Sequence, residues 1–423
     1  MNEESRAVSE NVGGNVRHPR ASLDAMLAFA WDAQMFTATE AMSGTGLTRS
    51  TAIDAIGELI GLGLLRELPN ARAAGEYVKG RPSRRFELKA DAGVVVGMDA
   101  GRARLTTTVA DLRGSELCRE VVELHESDDT HEGRRTAIVA ALDFALRAAG
   151  KDRRSVLAVC LGVPAPVDAD GASPQHLEGF WQRMNPDLRG LLAQWVPILR
   201  IENDASLAAV AEGSVGVARG LHHFVVLLAG DRLGAGVVID GHLLRGQHGG
   251  VGELRALDHV RGVDSAEGVG FRLAEWAQEE WVAGSIPQHV LARVPGELLT
   301  ARTVLMLSSS GDVWARRLVG RAGALLARIT TVLSSLYDPS CVVVAGAVAD
   351  DLDEVLEAAR TLLALDGGMP APALVRSQLG ADAVVTGAVS AARETALREV
   401  LRLEPSTLKR LREPGEPSTP LLH

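Results

Sequence analysis

With 423 residues, 46% of them hydrophobic and 23% charged, the chain is long enough for roughly three domains or subdomains, each with a full core. Its 44 glycines and 17 prolines are spread along the sequence, which excludes wholesale disorder and fibrous folds. The net charge of −10 is unevenly placed: residues 1–90 balance 11 basic against 11 acidic side chains, so a neutral N-terminal region precedes an acidic remainder.

No apolar stretch approaches the ~18 residues of a bilayer span, and the longest, Phe224 to Ala229, is strand-sized. Glu3 and Glu4 stand where a secretory signal needs basic and then apolar residues, so a cytoplasmic location without membrane partners is expected. Cys118, Cys160 and Cys341 lie far apart with no CxxC pair, which argues for reduced, buried thiols and against a disulfide framework or thiolate metal cluster. An aromatic content of 4% disfavours stacking on single-stranded bases and leaves duplex DNA open as a partner.

Residues 1–20 are polar, contain Gly13, Gly14 and Pro19, and read as a flexible arm. Leu23, Met26, Leu27 and Ala30 then recur at helical spacing, and Thr37 to Met42 predicts a second short helix. Within Gly46 to Leu68, the residues Leu47, Ile53, Ile56, Ile60 and Leu64 predict one apolar stripe, with Thr48 as N-cap and Gly61 and Gly63 as the stop. Leu64 to Leu68 and Arg84 to Leu88 read as the strands of a hairpin around a basic tip, Gly80 to Arg85. Helices followed by such a hairpin make a winged helix-turn-helix over residues 21–90. The first turn of the capped helix suits a major groove, where Thr48, Arg49, Ser50 and Thr51 meet phosphates and base edges. Arg81, Arg84 and Arg85 suit the adjacent minor groove or backbone, and Asp54, one turn on, either repels phosphate or accepts from cytosine. Contacts to several phosphates make such binding steeply salt dependent.

Beyond residue 90 buried strands alternate with helices. Val94 to Met98, Leu105 to Ala110, Ser155 to Gly162, Phe224 to Leu228, Ala235 to Ile239 and Cys341 to Ala345 are predicted strands, with helices at Thr136 to Ala149 and Val313 to Leu336. The expectation is an α/β body of two related lobes around a cleft: residues 91–203 with 378–400, and residues 204–377. Residues 401–423, with Pro405, Pro414 and Pro417, read as a flexible tail.

Taken in order, GLTRSTAIDAIGELIGLGLL, the GRPSRRFEL wing, GMDAGRARLTTTVADLRG, GVPAPVD, ENDASLAA, GDRLGAGVVIDGHLLRGQHGGVGEL and GADAVVTGAV resemble the ROK family of repressors, open reading frames and kinases, in its repressor branch. The resemblance implies a winged helix-turn-helix followed by a two-lobed, actin-like, sugar-kinase-like body. It further implies operator DNA and a sugar effector as partners, and a homodimer or homotetramer whose symmetry matches a palindromic operator.

Kinase members carry a DxGGT-like first phosphate loop. Here the matching residues are Asp99, Ala100, Gly101, Arg102 and Ala103, so a glycine has become Arg102 and the threonine hydroxyl is gone. The second phosphate loop reads Gly230 to Gly236, with Asp231 set against incoming phosphate, and the late Gly-Gly pair reads Ala345-Gly346-Ala347. These departures point away from ATP and leave no cofactor expected. Asp204 matches the family's catalytic base, but an adjacent Asn203 and Asp204 also suit vicinal hydroxyls in a non-catalytic receptor, or cap a helix. Glu253 matches the first residue of the family's ExGH motif, whose Gly and His are Arg255 and Ala256 here. The zinc-binding run is replaced by Val263 to Leu273, without cysteine, so no metal is expected; His259 stands nearby. Glu178 and Asn185, in the segment that resembles the family's sugar-closing region, complete the candidate effector set, with Trp181 as a flat apolar face. A sugar-responsive repressor is the function these residues suggest; the rivals are an ATP-dependent sugar kinase, a regulator whose body serves only as an oligomerisation scaffold, and a helical N-terminus that docks a protein without DNA, with Arg81 to Arg85 a solvated linker.

Overall fold

In the N-terminal region, three short helices gain stability by burying one face each against one another and a small sheet. The fold, a computed structural model, describes residues 19–69, 83–176, 178–230, 232–294, 298–346, 349–365 and 370–411. Helix α1 (Pro19–Asp32) buries Leu23, Met26, Leu27, Ala30 and Trp31. After β1 (Phe36–Thr37), helix α2 (Ala38–Thr45) begins in a capping box between Thr37 and Glu40 and ends at Gly46, whose φ of 67° only glycine adopts readily. Helix α3 (Arg49–Gly61) follows, capped by Thr48, and then β2 (Leu65–Glu67) and β3 (Arg85–Leu88). β3 pairs antiparallel with both other strands, giving the order β1-β3-β2. The described elements thus run helix, short strand, helix, helix and two further strands.

The buried stripe of α3 differs from the expected one. Ala52, Ala55, Ile56 and Leu59 face inward, together with Leu47 and Leu64 at the flanks, whereas Ile53 and Ile60 are 47% and 36% exposed. Both sets satisfy helical spacing, and the two alanines carry the inward face because α1 packs closely there.

The body repeats one sheet topology. Strands β4 (Val94–Ala100), β5 (Arg104–Asp111), β6 (Glu116–Glu123), β7 (Val156–Val163) and β8 (Ile198–Asn203) lie in the order β6-β5-β4-β7-β8. The first three are antiparallel, while β4, β7 and β8 run parallel. Helices α4 (His131–Ala148), α5 (Phe180–Met184) and α6 (Leu188–Leu192) flank this sheet, and α7 (Asp204–Ser214) leads out of β8. Every residue of β7 is buried, as expected of a parallel strand covered on both faces.

The second sheet uses β9 (Phe224–Ala229), β10 (Leu233–Ile239) and β11 (His242–Leu243). Helices α8 (Val269–Val282), α9 (Gln288–Leu291), α10 (Ala301–Ser309) and α11 (Val313–Tyr337) precede β12 (Cys341–Ala345), α12 (Asp353–Leu365) and β13 (Ala373–Arg376). The order β11-β10-β9-β12-β13 copies the first sheet strand for strand. Helix α13 (Ala383–Glu399) returns to pack on β4, β7 and α7. Its approach to α7 depends on Gly387, where a Cβ would sit 1.9 Å from the carbonyl oxygen of Leu207.

The stretch expected to be a flexible tail contains a helix, α14 (Pro405–Arg410), with Leu408 buried. Residues 401–411 group with the N-terminal unit, while 93–400 form the body. Arg20 at the start of α1 donates to the Leu401 carbonyl at 3.5 Å. Pro405 starts this helix at a position where its missing N–H costs nothing.

Candidate functional site

The carboxyl ends of β4, β7 and β8 bring chemistry together. Asp99 lies in register with Gly162, and Gly162 with Glu202, so Asn203 and Asp204 leave the sheet at the same end as Asp99. Asn203 caps α7: its side-chain oxygen accepts from the Ser206 amide at 3.0 Å, and its amide donates to the Ala165 carbonyl at 3.2 Å. Asp204 begins the helix and accepts from the Ala205 amide at 2.7 Å. Glu253 reaches this region by a bridge to Gly234, which itself lies against Ala205. That approach requires Gly252, at φ 89°, where a Cβ would come within 1.7 Å of the Ala235 carbonyl.

Asp99, Asp204 and Glu253 are half-buried and share one field. Burial raises Asp204 to about 8, and the charges of Asp99 and Glu253 push the same way against the helix-start hydrogen bonds. Burial raises Asp99 to about 6 despite Arg104 and Arg134, and raises Glu253 despite Arg232 and Arg255. Asp204 thus keeps its proton near neutrality, and the set offers both donors and acceptors to hydroxyl groups.

Beside it, Glu202 is buried and accepts from Arg200 at 2.7 Å and Arg245 at 2.8 Å. The carboxylate is thereby neutralised, and the pair ties β8 to the loop after β11. This network was not anticipated; its one local signal is that Arg200 and Glu202 alternate onto one face of β8.

Arg134 on α4 was also missed. It is fully buried and donates to the carbonyls of Ala100 at 2.8 Å, Gly101 at 3.2 Å and Arg102 at 3.5 Å. The turn that matches a first phosphate loop is therefore fixed by a guanidinium behind it, with Arg102 exposed. Asp231 and Ala347 lie outside the described residues.

Asn185 is 7% exposed, donates to Gly171 O and Ser173 Oγ, both at 3.0 Å, and keeps its own carbonyl oxygen buried without a partner. Gly171 in turn lies against Ile201 of β8, which links Asn185 to the same sheet end. Glu178 is exposed in the turn before α5, away from this packing, and Trp181 packs on the first sheet's core and on His176, ring centres 4.6 Å apart. Where the resemblance implies a zinc loop, Val263 to Leu273, the donor set does not suit that metal: Arg272 instead donates to the Val263 carbonyl at 2.8 Å and to Ser265 Oγ at 2.6 Å. His259 is exposed, and no group of three metal-donor side chains gathers among the described residues.

In the N-terminal unit, Thr48 Oγ1 lies 3.2 Å from Ser50 Oγ and 2.9 Å from Thr51 Oγ1, so these hydroxyls hold the start of α3. Arg49 is exposed on the same turn. Arg84 is 70% exposed and 3.5 Å from Glu67 across the hairpin; Arg85 opens β3 and lies 3.7 Å from Met35 Sδ. Arg81 lies outside the described residues. Cys160 and Cys341 are buried, Cys118 half-buried, and all three are free thiols. Among the described residues no helix is long and apolar enough to cross a membrane.

The chain is similar to several known proteins. Residues 95–395 match the ROK family. The chain is 30% identical over 225 residues to the bifunctional enzyme NanE/NanK of Brucella suis, covering 49% of this chain and only 39% of that enzyme, so it spans about two fifths of that relative's length. It is 22% identical over 307 residues to the DNA-binding transcriptional dual regulator NagC of Escherichia coli, covering 71% and 73% of the two chains. In structure it resembles a ROK family transcriptional regulator described as a homologue of the E. coli MLC protein, with TM-score 0.70 and 17% identity over 93% of this chain and 99% of that one. A Streptomyces griseus ROK glucokinase with glucose and AMPPNP superimposes with TM-score 0.60 and 27% identity, over 71% of this chain and 100% of that one. The chain belongs to the ROK family.

Proposed function

We propose that the protein is a DNA-binding transcriptional regulator, a repressor responding to a sugar or sugar derivative, whose kinase-like body binds ligand without transferring phosphate. The observation that carries this reading is the turn from Asp99 to Arg104. Phosphoryl transfer needs a backbone cradle for nucleotide phosphates, and here that turn presents Arg102 where close approach needs glycine, while its carbonyls are held by Arg134. Asn203, Asp204, Glu253 and Asn185 then serve as the effector site, the unpaired oxygen of Asn185 taking one ligand hydroxyl. Ligand-shifted closure of the two lobes changes the spacing of paired DNA-binding units, so the effector acts by binding one spacing better than the other.

One observation favours a second reading, a sugar kinase. Asp204 matches the family's catalytic base, and its carboxyl, raised to about 8, can accept a hydroxyl proton in the ionised form that grows as pH rises toward that value. A single experiment separates the two. The full chain is presented with a randomised duplex pool at low salt, and with hexoses plus Mg-ATP. Enrichment of a palindromic duplex, with binding that a sugar modulates and no hexose phosphate formed, supports the regulator; hexose phosphate at multiple turnovers without duplex enrichment supports the kinase.

A further inference from the structure

The outward face of α3 carries an apolar side chain that the helix itself does not need. Ile53 is 47% exposed in the middle of a 13-residue helix whose inward face is already complete with Ala52, Ala55, Ile56 and Leu59. A β-branched residue at an exposed helix position is a poorer helix former than Ala, Glu or Lys, so local stability does not account for it. Its neighbours define what it faces. At 100° per residue Ile53 stands about 40° from Arg49 and one turn beyond it, on the same shoulder of the helix. Ser50 and Thr51 spend their hydroxyls on Thr48, which leaves Arg49, Ile53 and Asp54 as the long outward side chains of the first two turns. At Gly57, one turn further, a Cβ would meet nothing within 4 Å, so the helix surface beyond Ile53 is bare backbone open to close approach.

We propose that Ile53 is a base-reading residue that packs against the 5-methyl group of a thymine in the major groove of the operator half-site. The inference rests on the DNA-binding reading given above. The cationic Arg49 and the partially positive helix start turn this shoulder toward phosphates, and the third helix of a winged helix-turn-helix is the element that enters the groove. The thymine methyl is the one apolar group that base pairs display there, and Asp54, about 100° further round, meets the amino group of a neighbouring cytosine.

The test replaces one methyl group at a time. The full-length protein selects its preferred duplex from a randomised pool at low salt, and each thymine of the half-site is then exchanged for uracil, which lacks only the 5-methyl. Wild type is expected to lose about fourfold in affinity at one thymine per half-site, the worth of one buried methyl. Ile53→Ser, at an exposed position and with an unchanged melting curve, binds thymine and uracil duplexes equally, while Ile53→Val keeps the preference. Ile60→Ser, on the same shoulder two turns later, keeps it too. Wild type indifferent to uracil at every position, or Ile53→Ser retaining the full thymine preference, overturns the inference alone. Selection of no duplex by wild type overturns the DNA-binding reading and this inference together.

Discussion

The two sheets of the body share one strand order and part company in what they bury. Strands β9, β10 and β12 are built only from Phe, Val, Leu, Ile, Ala, Gly and Cys. The first sheet buries Thr106, Thr107, Thr108 and Glu202 in its strands, with Arg134 and Asn185 beside it, whereas the second sheet's buried polar residues, Ser308, Asp312, Thr330, Ser334 and Ser377, lie outside its strands. A sheet forms equally well from either composition, because β pairing is set by backbone and apolar pattern. Burying charge is costly unless each group finds a partner, so the charged exceptions of the first sheet mark where the fold is committed to a site. Arg134, Glu202 and Asp204 all stand at one end of that sheet.

The junction shared by both sheets is where the comparison is most easily broken. Gly387→Val forces a side chain into the Leu207 carbonyl between α13 and α7, and the expected loss is about 3 kcal/mol or more by denaturant unfolding. Arg134→Met comes next: it keeps the volume but leaves the carbonyls of Ala100 and Gly101 without a charged donor, and about 2–3 kcal/mol should be lost. The same substitution also frees the turn from Asp99 to Arg104, and any gain of Mg-ATP binding would show that the guanidinium is what holds the turn closed to phosphate.

A pH series sharpens the contrast. Asp99 and Asp204 hold their protons in the native state up to about 6 and about 8, while in the unfolded chain they lose them near 3.8. The native state therefore binds more protons between these limits, so their contribution falls as pH rises from about 4 and levels off above about 8. Asp204→Asn should flatten the part of that decline above pH 6, read as the melting midpoint across pH. Asp312 and Glu280, held below the usual carboxylate range by hydrogen bonds from the Ala315 amide and His289 and from Arg317 and Trp314, act with the opposite sign, and only in acid. The smallest effect belongs to the hairpin: Arg84→Ala should change stability by less than about 1 kcal/mol. If Arg84 contacts a phosphate, its loss lowers the slope of log affinity against log salt by about 1.

How far the sequence carried these conclusions depends on the range of the interactions. Thr48 as a cap, β12 at Cys341–Ala345 and the helix from Val313 are local patterns, and they stand where expected. The Glu202-Asn203-Asp204 junction of β8 and α7 is also local, and the helix cap expected at Asn203 or Asp204 stands at Asn203. Strands β6, β8 and β13 were not: β6 is half-exposed along its length, β8 carries Arg200 and Glu202, and β13 has four residues. Arg134 meets Ala100 across 34 residues and Arg245 meets Glu202 across 43, distances at which spacing carries no signal. The stripe on α3 was misplaced because isoleucine outweighs alanine in any hydrophobic pattern, while close packing on α1 favours the smaller side chain.

The claim that the body binds a sugar and not a nucleotide is tested most directly by thermal unfolding of the full chain against hexoses, amino sugars, hexose phosphates and Mg-ATP. A ligand at 100 times its dissociation constant adds about 2.7 kcal/mol to the native state. The account predicts a raised midpoint with one sugar class and none with Mg-ATP. A raised midpoint with Mg-ATP, or no response to any sugar, would contradict it.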